Sequence, residues 1–216
     1  MPDLLDPRVS QYLDGLLAPR DPLLTEMEAQ ASRERIPISG PHVGGLLALL
    51  IRLGRPSRVL EVGTAIGYAA IWMGRALRGS GGRLQTIELR AERVAEARRH
   101  LVRAELSDIV EVLPGAGLEV LPTLAAGAFG LIFLDAVKAE YPAYFERALP
   151  LLADGGLLVA DNALLGGEVS PQIAGGHWSA DDREGIRRYN ALAFGHPALN
   201  SVLLPLRDGL TLSLKR

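Results

Sequence analysis

The chain has 216 residues, of which 48% are hydrophobic and none is cysteine, and its formal net charge is −2. This length suits one domain with a substantial core, and the small net charge argues against a protein that holds nucleic acid by bulk charge. The lack of cysteine excludes disulfides and thiolate metal sites, so any metal must be held by oxygen or imidazole.

The beginning of the chain, MPDLLDPRV, lacks the basic segment and the apolar core of a secretory signal. The longest apolar runs, such as LLALLI at residues 46–51, are far too short to span a bilayer. We therefore expect a soluble, cytoplasmic protein without a membrane partner.

Two helices are predicted first, at residues 4–17 and 21–35. Asp21 followed by Pro22 is typical of a helix start, with the aspartate as the cap and the proline in the first turn. A third helix, apolar on most of its surface, is predicted at about residues 42–53.

From residue 57 onward, predicted strands alternate with predicted helices. The apolar strands are at residues 58–62, 83–89, 108–115, 129–135 and 155–162. The last two apolar runs, SVLLPL and LTLSLK, flank Arg207-Asp208-Gly209, and Asp-Gly between such runs is typical of a β-hairpin. This order predicts an α/β fold in which five parallel strands, with helices on both faces, are closed by a reversed C-terminal hairpin. We expect one domain over residues 1–216, with an N-terminal helical extension at 1–40 and the core at 41–216.

Two predicted helices carry expectations about single residues. The amphipathic helix at residues 90–105 should turn its apolar face inward, namely Val94, Ala97, Leu101 and Val102. The helix at residues 180–194 should have Asp181 as its cap.

A glycine-containing turn follows the first strand in the segment VLEVGTAIGYAA, residues 59–70. Glycines at this place allow a ligand to approach the backbone closely. Gly63 and Gly67 have the spacing G-x-x-x-G, whereas nicotinamide sites more often show G-x-G-x-x-G. Glu61, two residues before Gly63, suits a cationic ligand such as the amino-acid part of S-adenosylmethionine. A tight strand–helix turn without a ligand is the alternative.

Glu88 lies near the end of the second predicted strand. A carboxylate there can accept hydrogen bonds from both hydroxyls of a ribose, which NAD and S-adenosylmethionine share. A surface glutamate without a ligand is the alternative. After the third strand, Gly115-Ala116-Gly117 would let an adenine lie against the backbone, and an ordinary turn explains these residues equally well.

The fourth and fifth predicted strands end in oxygen-bearing side chains, Asp135 on one and Asp161 with Asn162 on the other. Ligands bind outside the carboxyl ends of the strands in parallel α/β sheets, so we expect these side chains at one edge. Hard oxygen ligands favour Mg²⁺ or a similar ion over zinc or copper. Lys138 lies one helical turn after Asp135, and a neighbouring cation would favour its neutral form, which can act as a base. Alternatively, Asp135 caps a helix and Asp161-Asn162 forms a turn.

The four histidines, at positions 42, 100, 177 and 196, contain no pair with helical ligand spacing, so we expect no histidine metal site. His177 and Trp178 belong to a glycine-rich loop at about residues 163–179. They either line a substrate pocket or pack against the core.

Together, these motifs resemble the class I, cation-dependent O-methyltransferases that use S-adenosylmethionine, the family that includes catechol and caffeoyl-CoA O-methyltransferases. The residues that carry the resemblance span nearly the whole chain: VLEVGTAIGYAA (59–70), TIE (86–88), LIFLDAVKAEYPAY (131–144), LLADGGLLVADNALLGG (151–167) and LPLRDGLTLSLKR (204–216). The combination of D-x-x-K with a later D-N is quite specific to this family.

The resemblance implies a Rossmann-like, seven-stranded methyltransferase sheet with a reversed last strand. It implies that Asp135, Asp161 and Asn162 hold Mg²⁺ (or Mn²⁺ or Ca²⁺), and that Lys138 is the catalytic base. It also implies a set of contacts to S-adenosylmethionine, which are Ser39, Glu61, Gly63, Thr64, Gly67, Tyr68, Glu88, Ala116 and Asp135. Bacterial and plant members are typically homodimers, so a homodimer is expected here.

Three positions depart from the family pattern. Many members have serine where this chain has Ala69, and many have aspartate where it has Ala116. The animal catechol enzymes carry an aromatic residue at the position of Val137, so an aromatic clamp on a flat acceptor is missing here. The implied acceptor is a catechol-like or other phenolic small molecule. The alternatives are a tRNA hydroxyuridine as the acceptor, a non-catalytic protein that binds S-adenosylmethionine, and a nicotinamide dehydrogenase.

Overall fold

The structure, a computed structural model, describes residues 6–173 and 176–216. The helices within these ranges are α1 (Pro7–Leu16), α2 (Pro22–Glu34), α3 (Gly40–Gly54), α4 (Tyr68–Leu77), α5 (Ala91–Arg103), α6 (Gly117–Val120), α7 (Tyr141–Ala148) and α8 (Ala180–Gly195). The strands are β1 (Arg58–Val62), β2 (Arg83–Glu88), β3 (Val110–Pro114), β4 (Phe129–Leu134), β5 (Leu152–Ala160), β6 (Leu199–Leu204) and β7 (Leu210–Lys215). Residues 4 and 5 of the first predicted helix, and residues 174 and 175 of the predicted loop, lie outside the described ranges.

The strands form one seven-stranded sheet in the order β3-β2-β1-β4-β5-β7-β6. The first five strands in this order, which end with β5, pair in parallel with their neighbours. Strand β7 pairs antiparallel with both β5 and β6. This confirms the predicted α/β class, the methyltransferase sheet and its reversed hairpin strand. The strand order reverses beside β1, which has β2 on one side and β4 on the other. Such a reversal leaves a crevice outside the carboxyl ends of the strands.

Two hydrophobic clusters cover the two faces of the sheet. Because side chains alternate along a strand, Leu131 and Phe133 of β4 pack in the first cluster, whereas Ile132 and Leu134 pack in the second. Helices α2 to α5 contribute to the first cluster, and α7 and α8 contribute to the second. The central strand β4 is therefore buried on both faces, as its lack of polar side chains predicts.

Two predictions about single helical residues are wrong. Val102 is exposed, because it lies about 100° round α5 from the preceding inward residue, and His100 is buried on that helix instead. The cap of α8 is Ser179 rather than Asp181. The Ser179 hydroxyl accepts from the amide of Asp182, and the Asp182 carboxylate accepts from the amide of Ser179, so the cap precedes the first helical residue.

The N-terminal helices are joined to the core mainly through α2. Its residues Leu24, Met27 and Ala31 are buried in the first cluster. Asp21 caps α2, as predicted, by accepting a hydrogen bond of 3.0 Å from the amide of Leu24. Over residues 6–173 and 176–216, none of the helices combines the length and the apolar character needed to cross a membrane.

Candidate active site

The carboxyl ends of β4 and β5 bring Asp135, Asp161 and Asn162 to the same edge of the sheet. The amide of Asp135 donates to the carbonyl of Val62 at 2.9 Å, and the amide of Asp161 donates to the carbonyl of Leu134 at 3.0 Å. These bonds continue the parallel ladders one residue beyond each strand, so the backbone holds both carboxylates in place. The structure thus gathers the three predicted oxygen ligands at one site.

Lys138 reaches this edge from the short 3₁₀ turn that precedes α7. Its Nζ donates to Oδ1 of Asp135 at 2.8 Å and to the hydroxyl oxygen of Tyr141 at 3.2 Å. The Tyr141 hydroxyl in turn lies 3.1 Å from the carbonyls of Leu134 and Asp161, and donates to one of them at a time. Because Lys138 is only 5% exposed, its ammonium is held by these contacts rather than by bulk water.

The edge carries an excess of negative charge. The pKa of Asp161 is raised well above its usual value, first because the carboxyl is buried and then because Asp135 and Asp208 lie nearby, while Lys138 opposes the rise. Among the described residues, no group of three or more His, Cys, Asp or Glu side chains is arranged to hold a metal. The donor set here is of another kind, with two carboxylates and an amide oxygen. Such a set fits a hard divalent cation, which would also offset the negative charge.

Asp208 belongs to this edge although its sequence position predicts only a hairpin turn. It does lie in the turn between β6 and β7, but its buried Oδ2 accepts a hydrogen bond of 2.5 Å from Nδ2 of Asn162. The antiparallel pairing of β7 with β5, in which Thr211 faces Ala160, brings the turn back to the carboxyl end of β5. The sequence signal that could have identified Asp208 as a site residue is therefore the C-terminal hairpin, once one of its strands is placed next to β5.

Gly63 allows the turn after β1 to touch the end of β4. Its φ is 102°, and a Cβ at this position would stand 2.0 Å from the carbonyl oxygen of Asp135. Any side chain here would push the two segments apart. Gly67 also has a positive φ, 88°, but a Cβ there would only make an ordinary contact of 3.4 Å with Ala97. The conformation rather than the space therefore favours glycine at position 67.

Glu61, Thr86 and Thr64 form a buried chain of hydrogen bonds. The Thr86 hydroxyl donates to Oε2 of Glu61 at 2.6 Å, so the Thr64 hydroxyl, 2.6 Å from that of Thr86, must act as the donor to it. The Thr64 oxygen can then still accept a hydrogen bond. Burial raises the pKa of Glu61 to about 8, against the effect of the Thr86 hydrogen bond, and the charges of Asp135 and Glu88 add to the rise.

The carboxylate of Glu88 is fixed by two backbone amides at the end of β2. Its Oε2 accepts from the amide of Ala65 at 2.8 Å, and its Oε1 accepts from the amide of Arg90 at 2.9 Å. Each oxygen keeps a further lone pair, so the group can accept from two neighbouring hydroxyls of a ribose. Ala116, the cap residue of α6, lies close by, because the amide of Gly115 donates to the carbonyl of Glu88 at 2.9 Å.

Tyr68 and Ser39 are placed differently from the other predicted cofactor contacts. The Tyr68 hydroxyl donates to Oε1 of Glu28 on α2 at 2.6 Å, which leaves its backbone, in the first turn of α4, for a ligand. Ser39 is buried, and its hydroxyl has no hydrogen-bond partner among the described residues. A ligand that bonded this hydroxyl would remove the cost of leaving it unpaired. The carbonyl of Ser39 accepts from Nη1 of Arg207 at 2.7 Å, next to Asp208 of the carboxylate edge.

The loop at 163–179 is fastened by a buried carboxylate, that of Glu168. It accepts hydrogen bonds from the amides of His177 at 2.7 Å and Trp178 at 3.1 Å. Arg183 of α8 lies 3.4 Å from the same carboxylate and donates to the carbonyl of Trp178 at 2.7 Å. Trp178 packs against the second cluster, which supports the packing alternative for it, whereas His177 is exposed.

Residues 20–216 match the sequence profile of a family described as O-methyltransferase. The catechol O-methyltransferase of Niastella koreensis is 35% identical over 217 residues, which cover 95% of this chain and 96% of the relative. A solved O-methyltransferase from Bacillus cereus, in complex with S-adenosylhomocysteine (SAH), has a TM-score of 0.85 and 32% identity, with 97% of each chain covered. An O-methyltransferase from Streptomyces achromogenes, involved in tomaymycin synthesis and in complex with S-adenosylmethionine, has a TM-score of 0.81 and 36% identity, with 96% of each chain covered.

The family match, the relative and the two solved structures agree with the fold and with the residues at the carboxyl edge. The match begins at residue 20 and reaches the last residue of the chain, so it includes every candidate site residue described above. The chain belongs to the O-methyltransferase family and is an S-adenosylmethionine-dependent O-methyltransferase.

Proposed function

We propose that the protein is a divalent-cation-dependent O-methyltransferase whose acceptor is a catechol-like or other phenolic small molecule. The observation that carries this proposal is the ion pair between buried Lys138 and half-buried Asp135, 2.8 Å apart, on the edge that also holds Asp161 and Asn162. The pair puts a proton-transfer group beside a set of hard oxygen ligands.

Asp135, Asp161 and Asn162 would hold the cation, with Mg²⁺ as the first candidate and Mn²⁺ and Ca²⁺ as alternatives. When bound, the cation would supply the positive charge that acidifies the acceptor hydroxyl and stabilises its oxyanion. The raised pKa of Asp161 supports this assignment, because burial and the neighbouring Asp135 and Asp208 disfavour its negative charge, which a bound cation would stabilise.

Lys138, in the neutral form that a neighbouring cation would favour, would take the proton from the acceptor hydroxyl at its Nζ and become an ammonium. Asp135 and Tyr141 orient this nitrogen, and its burial keeps bulk water from competing for the proton. S-adenosylmethionine, when bound, supplies the methyl group. Most of the rate would come from holding the acceptor oxygen in line with that group, since well-oriented reactants gain several kcal/mol, roughly 7–11 in favourable cases.

The proposed cofactor contacts lie along the carboxyl ends of β1 to β4. Glu61 and Thr64 would bind the amino-acid part, Glu88 the ribose hydroxyls, and Ala116 the adenine through its backbone. The unpaired hydroxyl of buried Ser39 supports a further polar contact. The other proposed contacts are Gly63, Gly67, Tyr68 and Asp135.

The acceptor class is supported by a relative and by one exposed side chain. The relative from Niastella koreensis is named a catechol O-methyltransferase. In this chain, Val137 is 52% exposed directly before Lys138, so it offers an aliphatic surface to an aromatic acceptor. Such a surface tolerates rings of different substitution more readily than an aromatic clamp does, which favours phenolic acceptors as a class.

The test is a methyl-transfer assay with a catechol, with the matched monophenol that lacks one ring hydroxyl, and with tRNA. We expect transfer to the catechol with Mg²⁺, loss of transfer in EDTA, and recovery when Mg²⁺ is added in excess. Full turnover in EDTA would contradict the cation requirement. Equal transfer to the monophenol would show that the second ring hydroxyl is not needed, and transfer to tRNA alone would contradict the acceptor class.

We also propose a homodimer. The exposed side chains Val9, Tyr12 and Leu16 lie three and four residues apart on α1, so they form an apolar stripe on that helix. Sedimentation of the purified protein at micromolar concentration should show a dimer. Leu16→Glu, which places a charge in the stripe, should shift it toward the monomer, and a wild-type monomer would overturn the proposal.

A further inference from the structure

The turn between β6 and β7 is joined by backbone hydrogen bonds to the segment that follows β5. The amides of Ala163 and Leu164 donate to the carbonyls of Gly209 at 2.9 Å and Asp208 at 2.8 Å. Gly209 has a φ of 99°, and a Cβ at this position would stand 2.6 Å from the amide nitrogen of Leu164. The turn and the segment are therefore in backbone contact, which fixes the point from which the Asp208 side chain extends.

The side chains of Asp208 and Asn162 meet in a buried hydrogen bond. Oδ2 of Asp208 accepts from Nδ2 of Asn162 at 2.5 Å, and the two residues are 4% and 5% exposed. A carboxylate only accepts hydrogen bonds, so it selects the amide orientation in which nitrogen faces it. The reverse orientation would place two acceptor oxygens against each other. Oδ1 of Asn162 must therefore face away from Asp208.

The backbone of Asn162 is equally constrained. Its φ is 60°, in the left-handed region, and its amide donates to Oδ1 of Asp161 at 2.7 Å. This bond links the carboxylate of one proposed ligand to the backbone of the next. The backbone of Asn162 is held on one side, and its Nδ2 is held by Asp208 on the other. Because Nδ2 and Oδ1 belong to the same planar amide, Asp208 determines the direction of Oδ1.

We propose that Asp208 is a positioning residue that presents the amide oxygen of Asn162 to the divalent cation. The inference rests on the proposed function, because it assumes that Asn162 is a ligand. Only the oxygen of an amide binds such a cation, so an asparagine free to rotate would offer its nitrogen part of the time. Partners of this kind orient metal ligands, and their loss typically costs about 10–100-fold in metal affinity.

The test measures Mn²⁺ binding by calorimetry in the presence of saturating SAH, and SAH binding separately in the absence of metal. Asp208→Asn keeps the shape of the side chain, but two facing amides can pair in either orientation. We expect Mn²⁺ to bind it at least about tenfold more weakly than the wild type, with SAH affinity unchanged. Asp108→Asn is the matched control, since Asp108 is exposed near the amino end of β3, and it should bind Mn²⁺ as the wild type does.

A reciprocal exchange separates positioning from a structural role. Asn162→Asp alone sets two carboxylates against each other and should also weaken Mn²⁺ binding or unfold more easily. In the double variant Asn162→Asp/Asp208→Asn, the amide nitrogen at position 208 can donate to the carboxylate at position 162. The hydrogen bond is restored in reverse, and a carboxylate oxygen faces the cation site. We expect the double variant to recover most of the lost Mn²⁺ affinity.

The outcomes are distinguishable. If the wild type binds no Mn²⁺, the proposed cation dependence fails and the inference fails with it. If the wild type binds Mn²⁺ and Asp208→Asn binds it equally well, only the inference is overturned. Loss of Mn²⁺ binding together with SAH binding and cooperative unfolding would overturn it as well, because Asp208 would then hold the fold. A double variant whose loss is the product of the two single losses would also overturn it, since the positions would then act independently.

Discussion

Gly185 of α8 lies directly against the backbone of Lys138: a Cβ at position 185 would stand 2.4 Å from the carbonyl oxygen of Lys138. The carboxylate of Asp182, about one turn earlier on α8, accepts a hydrogen bond of 3.2 Å from the amide of Ala139. Helix α8 therefore supports the turn that carries the proposed base, although the helix contributes none of the proposed ligands.

Gly185→Ala tests this support. The added methyl group forces the turn at Lys138 or the helix to shift, and overpacking of this kind typically costs about 1–3 kcal/mol of stability. We expect a lower free energy of unfolding and a lower kcat, with SAH affinity unchanged. Gly195→Ala, on the same helix, is the matched control, because its Cβ would have no atom of the described residues within 4 Å. Equal stability and kcat in the two variants would contradict the contact.

Lys138→Ala tests the role of the base. The loss of a positioned proton acceptor typically costs about 10²–10⁴-fold in rate, so kcat should fall by that order. SAH affinity, measured by calorimetry, should stay the same. The chain offers one matched control, Lys215→Ala, because Lys215 is the only other lysine and its Nζ donates to the carbonyl of Leu152. A Lys138→Ala variant that keeps its kcat would rule out Lys138 as the base.

Glu168→Gln tests the fastening of the loop at 163–179. The glutamine offers one acceptor oxygen where the carboxylate offers two, so one of the amides of His177 and Trp178 loses its partner. We expect faster hydrogen exchange at these two amides and a higher KM for the acceptor, with little change in SAH affinity. Glu184→Gln, at an exposed position of α8, should leave all three quantities unchanged. Unchanged exchange in Glu168→Gln would show that the loop is held by other contacts.

The pH dependence of stability tests the buried state of Glu61. In the folded protein its pKa is raised from 4.5 to about 8 by burial, so the folded state keeps a proton that the unfolded state has lost in this pH range. The free energy of unfolding of the cofactor-free protein should therefore fall between about pH 4.5 and pH 8 and level off above, by up to roughly 5 kcal/mol from this group.

Glu61→Gln removes this titration while keeping an acceptor for the Thr86 hydroxyl. Urea unfolding at several pH values should show the variant gaining stability over the wild type as the pH rises from about 4.5 to 8. A difference between the two proteins that stays constant over this range would contradict the raised pKa.

The local signals of the sequence predict most of the elements. Asp21-Pro22 predicts the start of α2, the apolar run before Asp135 predicts a strand buried on both faces, and Asp208-Gly209 predicts the hairpin. Each depends on neighbours within a few residues, where periodicity and turn chemistry act directly. The errors at Val102 and Asp181 are both at helix ends, where the local pattern specifies the face or the cap least well.

Contacts between segments that are separate in the sequence could not be predicted from such local signals. The pairs Asn162–Asp208 and Glu168–Trp178, and the approach of Gly185 to Lys138, join segments whose separation carries no periodic pattern. The same holds for the Tyr68 hydroxyl, which donates to Glu28 across 40 residues, so its proton is not available to a ligand. Such contacts form only when the helices, the loop before α8 and the C-terminal hairpin pack against one another and against the sheet.

The sequence by itself determined the order of strands and helices, and the presence of Asp135, Lys138, Asp161 and Asn162 after two buried strands, because hydrophobic period and spacing are local properties. Only the tertiary structure decided which of their atoms remain available, since this depends on partners brought in from elsewhere in the chain. Asp208 takes the nitrogen of Asn162, and Tyr141 and Asp135 together hold the nitrogen of Lys138. The physical reason is that the atoms with which a buried polar group can still bind depend on the partners that already hold it. These partners meet only when the C-terminal hairpin has joined the sheet.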